Sequence, residues 1–295
     1  MPTRAAAQTL LELAARLPAA ARILSSLQLL LHDANTSLED VCALLKLDMA
    51  LTARTISISN SSYYGSGLAH SSLEEAISYV GFNDVYKLVA VTVGAQMCQD
   101  DLRYYACRAT RLWENTMGNA LAMESLAQFA GTNPRTAYTA GLMRSIGKAV
   151  LEIYAQKHAS SIRPYDPATG ATLEQWELAN FGVDSAAVGG SVLRDWHFPE
   201  EICLAVEDQL KRTSTQGTLL YVANRLVREL DLGLPGETKP TPCELVEIDT
   251  SSADVGDTEL RLVFLETKSG FERLQQALQP TAMSAASVTA ALAAK

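Results

Sequence analysis

Apolar residues recur at intervals of three and four along most of the chain, the period of helices with one buried face. Leu10, Leu11 and Leu13 share one side of a predicted helix over 4–16. Ile23, Leu27, Leu30 and Leu31 do the same over 18–32, after a proline suited to a helix start. Ser37-Leu38-Glu39-Asp40 approximates a capping box and opens a helix to about Leu47. Asp48 caps the next, which carries Leu51, Ile56 and Ile58 to about Asn60. Residues 61–71 read as a loop, and Ser72-Leu73-Glu74-Glu75 starts a short helix that Gly81 ends. Asn83 is the expected cap of a helix to about Cys98, and a long helical stretch over 101–130 stops at Gly131.

Asn133-Pro134 gives a capping side chain followed by proline at the first helical position. The helix it opens contains Leu142 and Ile146 and is expected to bend at Gly147 into a segment over 148–160. Thr172-Leu173-Glu174-Gln175 begins another after a Pro/Gly loop over 163–171, and Asp184, Pro199 and Thr215 begin three more. The pattern then changes. Residues 231–257 are rich in Gly, Pro, Thr, Ser and acids and read as a mobile acidic segment, with only weak strand character at Leu245–Ile248. Residues 258–279 form a last amphipathic helix, and 280–295 an Ala/Ser/Thr-rich disordered tail. The expectation is an all-α protein, with a helical subdomain over 1–110 and a second helical subdomain over 111–230.

Composition agrees with this reading. Hydrophobic residues make up 48% and aromatics only 6%, with Leu and Ala dominant, which favours helix over sheet. The formal net charge is −9, and 1–110, 111–232 and 233–295 each hold more acidic than basic side chains. Such a surface repels a phosphate backbone and an anionic bilayer, so neither nucleic acid nor a membrane is an expected partner. The N-terminal apolar stretch is interrupted by Gln8, Glu12 and Arg16, unlike a signal peptide, and the chain is expected in the cytoplasm. Its five cysteines, Cys42, Cys98, Cys107, Cys203 and Cys243, are widely spaced with no C-x-x-C, as for small buried side chains in a reducing compartment.

The usual signals of catalysis are missing. His32, His70, His158 and His197 form no ligand spacing with one another or with Cys, Asp or Glu. Gly141 to Lys148 superficially suggests a phosphate-binding loop. However, it has five residues between its glycines, lies in a helical pattern and lacks a following Ser/Thr. The loop around 60–72 concentrates an amide, hydroxyls and two aromatic faces at Asn60, Ser61, Tyr63, Tyr64, Ser71 and Ser72, a mixture suited to protein recognition. Asn60 and Ser72 also serve as helix caps.

Two blocks in order carry a family resemblance. The first runs from Asp48-Met49-Ala50-Leu51 through Asn60-Ser61-Ser62-Tyr63-Tyr64-Gly65 and Ser71-Ser72-Leu73-Glu74-Glu75-Ala76-Ile77 to Gly81. The second comprises Thr139-Ala140-Gly141-Leu142, Ile146-Gly147-Lys148, Phe181-Gly182, Val188-Gly189 and Trp196-His197-Phe198-Pro199. Over roughly residues 10–230 the chain resembles the HDOD family, non-catalytic relatives of the HD-domain metal-dependent phosphohydrolases found in bacterial signalling. It departs from the family at Met49, where proline is usual. The resemblance implies a degenerate HD-like bundle in the second subdomain and an adaptor or output role through signalling proteins, in pathways with response regulators or cyclic-di-GMP enzymes.

Position by position, the HD metal ligands fall on Asn115, on Arg144-Ser145, on Ser185 and near Asp208. Of these only Asp208 would bind a metal strongly, and one carboxylate does not hold a catalytic ion. The resemblance therefore implies no catalytic residue, no metal and no cofactor. Arg144 is expected either to replace the ion's charge and pair with Asp208 or Glu207, or to hold an anion together with Lys148. A small-ligand sensor of nucleotide type and a residual phosphohydrolase are the competing functions.

Overall fold

The computed structural model describes residues 4–31, 33, 35–60, 70–237 and 255–278. Among these, regular structure is helical throughout apart from one antiparallel bridge between Leu102 and Cys107. The first six helices are α1 (Arg4–Ala14), α2 (Ala20–Leu30), α3 (Leu38–Leu45), α4 (Met49–Ser59), α5 (Leu73–Val80) and α6 (Phe82–Met97). After a short 3-10 turn at Arg103–Tyr105 come α7 (Ala109–Phe129), α8 (Pro134–Met143), α9 (Ile146–Lys157) and α10 (Leu173–Phe181). They are followed by α11 (Ser185–Asp195), α12 (Glu200–Asp208), α13 (Thr215–Glu229) and α14 (Asp257–Leu278).

Many helix starts follow from a side chain that satisfies an otherwise unpaired amide. Ser37 and Asp40 form a complete capping box, as do Thr172 and Gln175. Asp48, Ser72, Asn133 and Asp184 each accept from the first turn of their helix. Two starts differ from expectation. The helix expected from Asn83 starts at Phe82 after Gly81, whose φ of 81° only glycine adopts readily. The stretch expected to be helical from 101 is broken by the Leu102–Cys107 bridge, with Ala106 in the left-handed region, so α7 starts at Ala109. The helix α13 starts at Thr215, as expected, and Ser214 caps it.

Helix α7 is the axis of the second half. From Leu112 to Ala127 it is buried on several sides, and α8, α13 and α14 pack against it. In the first half α6 plays this part, flanked by α2, α4 and α5. A buried polar cluster joins the halves. Tyr86 Oη lies 2.5 Å from Thr139 Oγ1 and donates to Gln28 Oε1 at 3.3 Å, while Gln28 Nε2 donates to Thr136 Oγ1 at 3.2 Å.

Two glycines bring the backbones around residues 144 and 145 close together. A Cβ on Gly141 would lie 2.4 Å from the Asn119 carbonyl oxygen of α7, and one on Gly147 would lie 1.9 Å from the Ser185 carbonyl oxygen of α11. The bend expected at Gly147 occurs instead at Arg144–Ser145, where α8 ends and α9 starts. Gly147 is required by the close approach of α9 to α11.

Candidate functional site

Arg144 closes α8 and is 5% exposed. Its Nη1 donates to Asn115 Oδ1 on α7 at 2.5 Å, and its Nη2 donates to Glu237 Oε1 at 3.1 Å. Asn115 Nδ2 in turn donates to the Leu232 carbonyl at 2.9 Å, and Asn119 Nδ2 donates to the Asn115 carbonyl at 2.8 Å. Gln209 of the α12 end donates to the Arg144 carbonyl at 3.2 Å. The guanidinium thus sits where α7, α8 and the end of α12 converge with residues 231–237.

Residues 231–237, which follow α13, lie across this point as a strap. Leu232 and Leu234 are buried, and Arg111 donates to the Asp231 carbonyl. Glu237 Oε1 also accepts from Asn224 Nδ2 at 3.3 Å, and Oε2 accepts from the Leu234 amide at 3.0 Å. Burial alone would raise the Glu237 carboxyl, but the Arg144 charge, the Leu234 amide and the nearby Lys148 charge outweigh it and hold it below the usual range.

Lys148, one helical turn after Arg144, is met in the same way by different residues. Its Nζ donates to Glu177 Oε1 at 3.1 Å and to Ser185 Oγ at 2.9 Å, and lies 5.3 Å from the centre of the Tyr105 ring. Glu177 on α10 is 1% exposed and also accepts from the Ser185 amide at 2.7 Å, so it caps α11 and neutralises Lys148 at once. Burial pushes the Tyr105 phenol well above its ordinary value, and the Glu177 charge adds to this.

Asp208 takes no part in either pair. Its Oδ1 accepts from Thr213 Oγ1 at 2.6 Å, and its Oδ2 accepts from the Ser214 amide and hydroxyl at 2.5 and 2.8 Å. Partial burial raises its carboxyl, and those hydrogen bonds more than reverse the effect. The partner expected for Arg144 was Asp208 or Glu207. Instead Asp208 organises the start of α13, Glu207 pairs with Arg194 at 2.6 Å, and Glu237 takes the guanidinium. Arg144 and Lys148 do not converge on a shared vacancy, because each has its own carboxylate.

The residues at the HD ligand positions therefore do not fit a metal. Two are neutral hydroxyls, Ser145 and Ser185, and one is an amide, Asn115. A fourth is a cation, and the single carboxylate is already engaged by three donors. Among the described residues no three His, Cys, Asp or Glu side chains stand close enough to share an ion. The four described cysteines, Cys42, Cys98, Cys107 and Cys203, are free and buried.

At the 60–72 loop, Asn60 closes the ends. Its Nδ2 donates to the His70 carbonyl at 2.9 Å and its Oδ1 accepts from the His70 amide at 2.7 Å. The Ser71 amide and hydroxyl donate to Glu75 Oε2 at 2.8 and 3.0 Å, and Ser72 caps α5. Ser61, Tyr63 and Tyr64 lie outside the described residues, as does the segment with strand character at 245–248. An open groove of about 480 Å³ lies elsewhere, between α6, α7, α8 and α14, lined in part by Lys87, Glu124, Tyr138 and Arg273.

Sequence reasoning found Arg144 and Lys148 but missed Glu177 and Glu237. Glu177 had a signal, since it stands one turn after buried Leu173 on the same helical face. Glu237 had none in the helical period, because the strap has no period.

The description "HDOD domain" belongs to the family model that matches residues 17–211. No curated protein matches the chain. An HDOD domain protein of unknown function from Geobacter sulfurreducens shares the fold with a TM-score of 0.68 and 21% identity, over 92% of this chain and 98% of that one. A Shewanella amazonensis SB2B protein, called a phosphohydrolase by assignment only, aligns with a TM-score of 0.64 and 20% identity, over 92% and 98%. A protein from Marinobacter aquaeolei VT8, assigned to signal transduction, aligns with a TM-score of 0.64 and 19% identity, over 88% of this chain and 58% of that one.

Proposed function

The chain belongs to the HDOD family, and from that premise we propose that it is a non-enzymatic output or adaptor protein of bacterial signal transduction. It acts by docking to signalling proteins. The observation that carries this reading is the pair of cations at the degenerate centre. A hydrolytic HD site needs anionic and imidazole ligands to hold an ion that activates water. Here a guanidinium and an ammonium stand among those positions, each met by a carboxylate at 3.1 Å, the half-buried Glu237 for Arg144 and the buried Glu177 for Lys148. Placing a divalent ion beside them would set like charges together in a low-dielectric interior.

The signal-transduction assignment of the Marinobacter neighbour agrees with this role, and the phosphohydrolase name of the Shewanella neighbour marks the competing one. Under the competing reading, the purified protein turns over generic phosphodiesters when supplied with manganese or iron. A sensor reading requires a nucleotide phosphate to displace Glu237 before it reaches Arg144. The docking surface is assigned to the 60–72 loop, whose ends Asn60 and Ser72 fix, and the partners are proteins of two-component or cyclic-di-GMP pathways.

The test is capture of partners from the native cytosol by the wild type and by an Asn60→Ala/Tyr64→Ala variant, alongside a phosphodiesterase assay. The proposal expects a retained partner, its loss in the variant at unchanged helical content, and no turnover above a boiled control. Full retention by the variant would remove the surface assignment, and metal-dependent turnover would remove the adaptor reading.

A further inference from the structure

Glu237 is held as a ligand is held in a receptor. Three donors from separate parts of the chain converge on its carboxylate. They are Arg144 Nη2 from the end of α8, Asn224 Nδ2 from α13 and the Leu234 amide. Two of the three, Arg144 and Asn224, belong to the helical body and lie outside the strap that carries the carboxylate. Both carboxylate oxygens are engaged, one by the guanidinium and the amide side chain, the other by the backbone.

The receptor also has unused capacity. The buried Arg144 Nε and Asn224 Oδ1 have no partner among the described residues, and neither does the Oγ of Ser145, which follows Arg144 in sequence and is 7% exposed as a residue. A buried guanidinium edge without an acceptor is costly unless an anion stays close. Charge reinforces the picture, because Lys148 lowers the Glu237 carboxyl from a distance although it is paired with Glu177.

We propose that Arg144 and Asn224 form a carboxylate-binding site, standing where an HD enzyme would hold its metal, and that Glu237 is its tethered resident ligand. The class of ligand the site takes in trans is a carboxylate, such as an acidic side chain of a partner, which would compete with Glu237 and release the strap. The inference does not depend on the adaptor reading, because it concerns the affinity of one site for a simple anion.

The experiment is thermal unfolding of the full chain carrying Glu237→Ala, titrated with sodium acetate, with sodium phosphate and with sodium chloride at matched ionic strength. The expected result has three parts. The variant melts well below the wild type in chloride, acetate restores the melting temperature saturably, and phosphate restores it less at equal concentration. The wild type responds alike to acetate and chloride, because its site is filled, and Glu237→Ala/Arg144→Met does not respond to acetate. If Glu237→Ala does not fold in chloride, refolding in acetate to the wild-type helical signal serves as the same readout, with Glu237→Gln as the folded reference. Equal effects of acetate and chloride on Glu237→Ala would overturn the site. A Glu237→Gln protein melting with the wild type would also overturn it. Rescue by phosphate equal to or stronger than by acetate would overturn the carboxylate class.

Discussion

The Arg144–Lys148 centre and the α3–α5 surface treat their polar groups in opposite ways. At the centre, Arg144 and Lys148 are buried and each is answered by a carboxylate from a distant element. At the surface, Leu47 and Met49 flank the Asp48 cap and are 77% and 85% exposed. The Lys46–Glu74 pair beside them is open to solvent on both sides. The difference separates two uses of a fold. A centre whose charges are satisfied internally holds the helices together and offers an incoming ligand little unless it displaces Glu237. A surface that keeps apolar side chains in water, next to polar groups already tied to their own backbone, retains free energy that a partner can release.

The largest effect that would break this comparison is at the centre. Glu237→Gln leaves a buried guanidinium without its counter-charge, and removal of one member of such a pair costs about 3–5 kcal/mol. The expected fall in melting temperature is roughly 5–15 °C, read by calorimetry. Arg144→Met should cost less, about 1–3 kcal/mol, because the Glu237 side chain is 15% exposed and can turn to water with its strap. The double replacement should cost less than the sum of the two, which a thermodynamic cycle measures. Equal and additive losses would mean that the pair is not coupled.

Gly147→Ala comes next. Its new Cβ meets the Ser185 carbonyl, which is backbone and cannot move aside cheaply. Separation of α9 from α11 is expected at the upper end of about 1–3 kcal/mol, with weakening of the Lys148–Ser185 contact. A variant with wild-type stability would show that the two helices are not held at this distance.

Acid should weaken the centre. The folded Glu237 and Asp208 carboxyls lie below their ordinary values of 4.5 and 3.8. Their stabilisation is therefore complete above those values and is lost as pH falls through them toward the depressed folded ones. Unfolding followed from pH 6 to pH 3 should show stability declining below about 4.5, and the decline should be shallower in Glu237→Gln. An identical slope in the variant would remove Glu237 from the account.

The smallest expected effect on stability is at the surface. Leu47→Ser/Met49→Ser removes apolar groups already in water and should change stability by less than about 0.5 kcal/mol. Partner capture should nonetheless fall, since Lys46 next to that patch pairs with Glu74, just past the end of the 60–72 loop. Ser72→Ala removes a cap and should cost about 1 kcal/mol, which separates a loosened loop from a lost contact.

Much of the fold was legible because capping residues act locally. Ser37, Asp48, Ser72, Asn133, Thr172 and Asp184 each announce a helix within three residues, and each caps as its chemistry dictates. The break at residues 102–107 was not legible, because the left-handed turn there uses Ala106 where a glycine would have signalled it. The bend between α8 and α9 was placed at Gly147 for the same reason, since a glycine reads as a bend when its purpose is contact. At the centre, the residue types at the HD-like positions, among them Asn115, Arg144, Ser145 and Ser185, were legible directly. The partners of the two cations were hidden, because Glu237 lies 93 residues from Arg144 in the chain and Glu177 lies 29 from Lys148. Sequence spacing carries no record of such distant pairs.

Elemental metal analysis of the purified protein, with thermal unfolding in the presence and absence of manganese, iron and zinc ions, tests the central claim most directly. The account predicts far less than one equivalent of any transition metal and no stabilisation by added ions. One equivalent or more, bound with a saturable rise in melting temperature, would contradict it and restore the hydrolase reading.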